Sequence, residues 1–305
     1  MMMYDPTPCS RADHQEALVL LVEVQGAMQA FRRRVRMDAG AGRAGVNACG
    51  RMIDIFGQAL QSYWLGRNEP RLIIRRDDGF VVRQDLAAWF TPRLREHEQW
   101  LVDSAVEPIM DLGCGAGRHV LHFQKLGFEI VGLDRSARAV EVCRERGCLD
   151  VVDGDVNVHR IAGDGDRFHT LLLFGNNIGI AGTPERSVIL LRRLRSALAA
   201  KGRILVASID LSKAANGTHR GYLESNRSAG RSPGQTRIQL EYGDCIGDWF
   251  DWIYPEPTEL RGWAERAGLT MHRTKAFKDG SFAAVLERND PEPAAAIVRE
   301  PVEPC

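Results

Sequence analysis

The sequence predicts an α/β fold: a doubly wound, Rossmann-like, mostly parallel sheet with a C-terminal antiparallel hairpin, preceded by a helical and hairpin cap. Three observations predict it. From Pro108 onward, short apolar runs alternate with amphipathic stretches at helical spacing, the pattern of successive βα units. The first run, Ile109-Met110-Asp111-Leu112, opens directly into the glycine turn Gly113-Cys114-Gly115-Ala116-Gly117. The second, Ile130-Val131-Gly132-Leu133, ends in Asp134, a carboxylate at the strand edge where open parallel sheets bind ligands.

In chain order, residues 1–50 read as a poorly ordered extension, with Arg32-Arg33-Arg34 and a Gly/Ala/Arg run from Ala39 to Gly50. From Met52 to Leu65 apolar residues recur at helical spacing (Ile53, Phe56, Leu60, Tyr63, Trp64). Leu72-Ile73-Ile74 and Phe80-Val81-Val82 flank Asp77-Asp78-Gly79, a hairpin turn. A helix is expected over Arg93 to Ser104, which completes a cap over 51–107. The main domain then runs over 108–288. Its strands are expected at 109–112, 129–133, 149–152, 170–174 and 203–208, with helices near 117–126, 136–146 and 185–199. Residues 211–257 read as a substrate-side insertion, first polar and glycine-containing, then aromatic (Tyr242, Trp249, Phe250, Trp252, Tyr254). A helix over Thr258–Ala267 precedes strands at Met271–Phe277 and Phe282–Glu287. The Pro-, Glu- and Ala-rich stretch 289–305 reads as a disordered tail.

Bulk properties narrow the class. Hydrophobic residues make up 44% and charged residues 26%, ordinary for a folded globular protein. Forty basic residues balance forty acidic ones, so no global field draws the chain to nucleic acid or to an anionic membrane. Seven cysteines form an odd, scattered set without a Cys-x-x-Cys pair or zinc-ligand spacing, which favours reduced thiols and no metal. The apolar stretch Ala17–Val22 is too short to span a bilayer and lacks a cationic segment before it. A cytoplasmic location follows as the expectation.

The glycine turn carries the chemical information. Gly113, Gly115 and Gly117 let the backbone turn sharply and pass close beneath a ligand. Their spacing is GxGxG, with Arg118 where a dinucleotide fold places its third glycine. No Tyr-x-x-x-Lys pair supplies the acid and base of a short-chain dehydrogenase, so a nicotinamide enzyme is disfavoured. Asp134 suits the two hydroxyls of a ribose, and Asp155, after the third strand, suits an adenine amino group, with Asp153 as its alternative. These residues resemble the class I S-adenosyl-L-methionine (SAM)-dependent methyltransferases, from about Ile109 to Glu287. Asp111–Gly117 matches the family's first motif, Asp134 its ribose acid, and Gly154-Asp155-Val156 its adenine segment. The residue after Phe168 is His169, where many relatives carry Asp.

The resemblance implies that Asp111, Gly113, Cys114, Gly115, Gly117, Asp134, Arg135, Asp155, Val156 and Phe174 surround SAM, which leaves as S-adenosyl-L-homocysteine (SAH). Asp111 lies where the methionyl ammonium is expected, or serves to order the loop; Cys114 reads mainly as a small filler in it. SAM's methyl group is already electrophilic, so the protein's task is to align a nucleophile and exclude water. The loop Gly175-Asn176-Asn177-Ile178-Gly179 is the expected place for this, with Asn176 and Asn177 as catalytic candidates. His119 is the candidate base, should the nucleophile need one. Tyr63, Trp64, Trp249 and Trp252 are the candidate substrate contacts. The expected partner is a small-molecule methyl acceptor, bound by a monomer or homodimer, with no nucleic acid and no membrane. The Arg/Ala-rich composition suggests a high-GC bacterium and a biosynthetic role. A protein or RNA methyltransferase and a non-catalytic SAM-fold scaffold are the alternatives. Against a nucleic-acid amino-methylating enzyme, no Pro-aromatic pair follows Asn176-Asn177.

Overall fold

A computed structural model describes residues 54–67, 71–158, 161, 167–213 and 217–288. The expected extension 1–50 and tail 289–305 lie outside them. The elements are helix α1 (Ile55–Trp64), strands β1 (Leu72–Arg76) and β2 (Val81–Gln84), and short helices α2 (Ala87–Phe90) and α3 (Glu96–Gln99). The alternating core follows: β3 (Ile109–Leu112), α4 (Arg118–Lys125), β4 (Ile130–Asp134), α5 (Ala137–Glu145), β5 (Val151–Asp153), β6 (Phe168–Leu173), α6 (Pro184–Ala197) and β7 (Leu198–Ile209). Then come α7 (Arg220–Ser228), β8 (Gln235–Tyr242), β9 (Cys245–Ile246), β10 (Phe250–Ile253), α8 (Pro257–Arg266), β11 (Leu269–Ala276) and β12 (Ser281–Arg288).

The main sheet has seven strands in the order β11-β12-β7-β6-β3-β4-β5. The five from β7 to β5 are parallel, and β12 joins β7 antiparallel and pairs antiparallel with β11. Strands β3 and β4 are buried along their whole length, as a sheet covered on both faces requires. Leu190, Leu191 and Leu194 of α6 pack on one face with Leu260 and Trp263 of α8. Val120 and Phe123 of α4 pack on the other with Val140 and Cys143 of α5. The chain order reverses between β3 and β6, so the carboxyl end of β3 opens into a crevice.

One expectation needs correction. The helix expected over Arg93–Ser104 is instead the single turn α3 followed by a 3₁₀ turn at Val102–Ser104. Its middle is drawn inward: Glu98 is fully buried on Arg118 and Leu101 is buried in the core, so a straight exposed helix cannot form. The insertion 211–257 contributes strands to a second sheet. Its strand β8 pairs antiparallel with β1 of the cap, giving a second sheet in the order β10-β8-β1-β2, with β9 on β8.

Candidate active site

The glycine turn leaves β3 with Gly113, Gly115 and Gly117 all at positive φ (78°, 55° and 78°), a path that residues with a β-carbon rarely follow. A β-carbon on Gly113 would also lie 2.6 Å from Asn177 Nδ2. The turn is held from three sides. Asp134 accepts from Gly115 N at 2.8 Å and from Ser136 N at 2.9 Å. Asn177 donates from Nδ2 to the carbonyls of Leu112 (2.7 Å) and Gly113 (2.8 Å). Arg146 donates to the carbonyls of Ala116, Trp89 and Phe90, which ties α2 to the turn.

Two buried carboxylates flank the turn. Asp134 keeps a lone pair on each oxygen beyond its two backbone bonds. Burial, reinforced by the charges of Asp54 and Asp111 and opposed by those two hydrogen bonds, pushes its pKa up to about 6. Asp111 is fully buried, and neither of its oxygens receives a hydrogen bond. Its Oδ2 lies 3.5 Å from His119 Nδ1, an ionic contact too long for a good hydrogen bond. The pair can therefore accept several donors from a ligand. Asp155, after β5, accepts from Asn157 N at 2.8 Å and from Asn157 Nδ2 at 3.1 Å, and its other oxygen faces Arg135 at 3.9 Å.

Several sequence-derived candidates fall elsewhere. The Cys114 side chain packs beneath the turn, 3.9 Å from Cys143 Sγ, and is buried in the core. Its contact with Cys143 lowers the thiol pKa, but burial and the charges of Asp134 and Asp111 outweigh it and push it up to about 11. Phe174 is fully buried, its ring edge-on to His119 at 5.1 Å, and Val156 belongs to the core below the sheet. All three side chains are buried in the core clusters. Both nitrogens of His119 face carboxylates, Nδ1 toward Asp111 and Nε2 toward Glu98 Oε1 at 3.3 Å. Burial disfavours its charge, but those carboxylates prevail and raise its pKa above the ordinary value. Both ring nitrogens are thus directed at carboxylates of the chain itself.

Of the two amides, Asn177 is a clamp on the glycine turn. Asn176, at φ 68°, carries a buried Oδ1 with no donor. Trp64 lies on the outer side of the cap, 40% exposed, stacked on Phe90 and donating to Glu145 at 2.5 Å. Tyr63 packs on Phe90 at 4.7 Å. Trp249 is half-buried in the segment before β10. Trp252 packs on the 3₁₀ turn Asn177–Ala181 so tightly that a β-carbon on Gly179 would fall on its indole nitrogen. That nitrogen is buried without an acceptor. Glu98 was missed by sequence reasoning, because no motif marks a lone acid in a short helix. Among the described residues no group of three or more His, Cys, Asp or Glu side chains is placed to hold a metal. No helix among them is long and apolar enough to cross a membrane.

Comparison with known proteins agrees with this geometry. Residues 109–216 match the model of a methyltransferase domain. Among solved structures, a SAM-dependent methyltransferase from Bacteroides fragilis in complex with SAH is 25% identical. The match covers 79% of this chain and 97% of that one, with a TM-score of 0.67. The CcbJ methyltransferase from Streptomyces caelestis is 15% identical over 64% of this chain and 89% of that one, at a TM-score of 0.49. The glycopeptide N-methyltransferase MtfA, complexed with SAH, is 16% identical over 63% and 88%, at 0.47. The last two likenesses are too weak to carry an argument. No curated protein gives a significant match. With a glycine turn closed between two buried carboxylates at the reversal point of a seven-stranded sheet, this chain carries a class I SAM-dependent methyltransferase domain.

Proposed function

We propose that the chain methylates a small, neutral and largely apolar acceptor held between the glycine turn and the second sheet. The observation that carries this reading is the inner face of that sheet. Directly opposed residues of an antiparallel ladder share a face. By register, one face therefore carries Ile74, Val82, Ile238, Leu240, Phe250 and Trp252. The other face carries the polar Arg75, Arg83, Arg237, Gln239, Glu241 and Asp251 together with Ile73, Val81 and, where β10 meets the main core, the buried Ile253. The apolar face is anchored at one end on α1, where Leu72 and Tyr242 pack with Ile55 and Leu60. At the other end Trp252 seats it on the turn after β6. Between these anchors Ile74, Val82, Leu240 and Phe250 remain incompletely buried, as the walls of a ligand chamber are. The one cation of this face, Arg76, is neutralised by Asp78 through two bonds of 2.8 and 2.7 Å, so the chamber does not call for an anion.

Within this reading Asp111 receives the cofactor's ammonium, Asp134 its ribose hydroxyls and Asp155 its adenine amino group. The cofactor, when bound, supplies an electrophilic methyl group on a sulfonium. The residues align and dehydrate the acceptor. Asn176 Oδ1 accepts a hydrogen bond from an incoming hydroxyl or amine, whose proton passes to solvent once the methyl group has been transferred, and Trp252 Nε1 donates to a second acceptor atom. No general base is assigned, since His119 is committed to two carboxylates. Catalysis then rests on proximity and orientation.

Titration calorimetry with SAM, SAH and NAD, followed by SAH-release assays, tests the reading. Micromolar binding of both sulfur ligands and none of NAD is expected. Turnover is expected with neutral ring-bearing alcohols or amines and not with phosphorylated or polycarboxylate acceptors. Turnover confined to peptide or RNA would place the acceptor outside the chamber and overturn the assignment.

A further inference from the structure

Asp111 is held by a row of buried charges that begins outside the glycine turn. Glu98, from α3, is fully buried, as is Asp111. Arg118 grips Glu98 with two bonds, Nη1 to Oε2 at 2.8 Å and Nη2 to Oε1 at 2.6 Å, and donates also to the Arg93 carbonyl at 3.1 Å. Glu98 Oε1 lies 3.3 Å from His119 Nε2, and His119 Nδ1 lies 3.5 Å from Asp111 Oδ2. Phe174 meets the imidazole edge-on and limits its tilt. Basic and acidic groups thus alternate along the row, in the order Arg118, Glu98, His119, Asp111. Among the described residues nothing follows Asp111, whose Oδ1 receives no hydrogen bond from them. Leaving a buried carboxylate oxygen without a donor is costly unless a ligand supplies one.

We propose that Glu98 and His119 are positioning residues, which fix Asp111 in place so that the α-ammonium of the bound cofactor completes the alternating row. This rests on the assignment of Asp111 to that ammonium, and extends it to residues that touch neither cofactor nor acceptor. Glu98 precedes residues 109–216, so the cap segment shapes the cofactor site through a side chain beyond the matched domain. Burial opposes charge on the His119 ring, and the carboxylates on either side favour it.

A pair of ligands isolates the effect. SAH carries the ammonium; 5′-methylthioadenosine keeps the adenosine and thioether and lacks the amino-carboxypropyl arm. Calorimetric affinities for both are measured on the full chain, its His119→Gln and Glu98→Gln variants, and Asp111→Asn as reference. Each variant is expected to lose about tenfold in SAH affinity while methylthioadenosine changes by less than about twofold. Equal weakening of both ligands would mean that the residues merely maintain the fold, and would overturn the proposal, as would unchanged SAH affinity. His119→Gln leaves the Arg118–Glu98 pair whole, so the test stands on it alone if Glu98→Gln does not fold. Failure of the unaltered chain to bind either ligand is a separate result, which removes the cofactor assignment itself.

Discussion

At the scale of single residues, Asp134 shows how one carboxylate links binding to pH. Its folded pKa of about 6 lies above the usual carboxylate range, because burial and the nearby charges of Asp54 and Asp111 outweigh two backbone hydrogen bonds. The folded state therefore holds a proton that the unfolded chain releases between about pH 4 and pH 6. From this group, stability is greatest below the unfolded pKa and is lost as pH rises through about 6. Cofactor binding should run the other way, since an ionised Asp134 accepts two ribose hydroxyls and a protonated one accepts fewer. SAH affinity measured calorimetrically is expected to fall as pH drops from 7 to 5, and Asp134→Asn should bind about tenfold or more weakly at pH 7 with a flatter profile. An unaltered profile in that variant would move the titration to another group. Asp134 and the glycines were legible in the sequence because their demands are local: a positive φ, or a strand end. Glu98 was not, because its partners Arg118 and His119 belong to a different helix and only the tertiary fold makes it buried.

At the scale of elements, α1 is docked on the loop that follows Asp134. Asp54 caps α1 by accepting from Gly57 N at 2.9 Å, and Ser136 caps α5 by accepting from Ala139 N at 3.0 Å. The two caps join: Ser136 Oγ donates to Asp54 Oδ2 at 2.7 Å. A β-carbon on Gly57 would fall on that hydroxyl, so the glycine is what allows the approach. Gly57→Val should push α1 off this loop, cost about 1–3 kcal/mol of stability by overpacking, and weaken SAH binding, because Ser136 N also anchors Asp134. Chemical denaturation and calorimetry on the same variant would check both effects; a stability loss with unchanged SAH affinity would uncouple α1 from the cofactor. The helix itself was visible as a 3.6-residue periodicity, while its landing place depended on two hydrogen-bonded caps far apart in sequence. The expected helix over Arg93–Ser104 failed for a related reason, since the inward pull on Glu98 and Leu101 is a tertiary demand that periodicity does not encode.

At the scale of the whole molecule, a second sheet meets the first where Trp252 packs on the turn after β6. The seven-stranded sheet follows from the alternation of apolar runs and helices, and its terminal hairpin from the turn residues between β11 and β12. The smaller sheet was not foreseen as a unit: its pairing of Ile73 with Glu241 joins the cap to the insertion, and nothing local in either stretch specifies that register. Aromatic residues in 211–257 were read as candidate substrate contacts, yet only alternation within a known ladder separates inner from outer positions. Phe250 and Asp251 are neighbours on β10, with Phe250 on the apolar inner face and the exposed Asp251 on the opposite one. Phe250 is also 36% exposed, so its truncation removes little core packing. Once an acceptor is found, Phe250→Ala is expected to raise its KM about three- to tenfold with SAH affinity unchanged, the loss of one apolar wall. Asp251→Ala should leave both parameters within about twofold. If the two variants behave alike, the inner face is not the acceptor wall, and the chamber must be sought on the other side of the turn after β6.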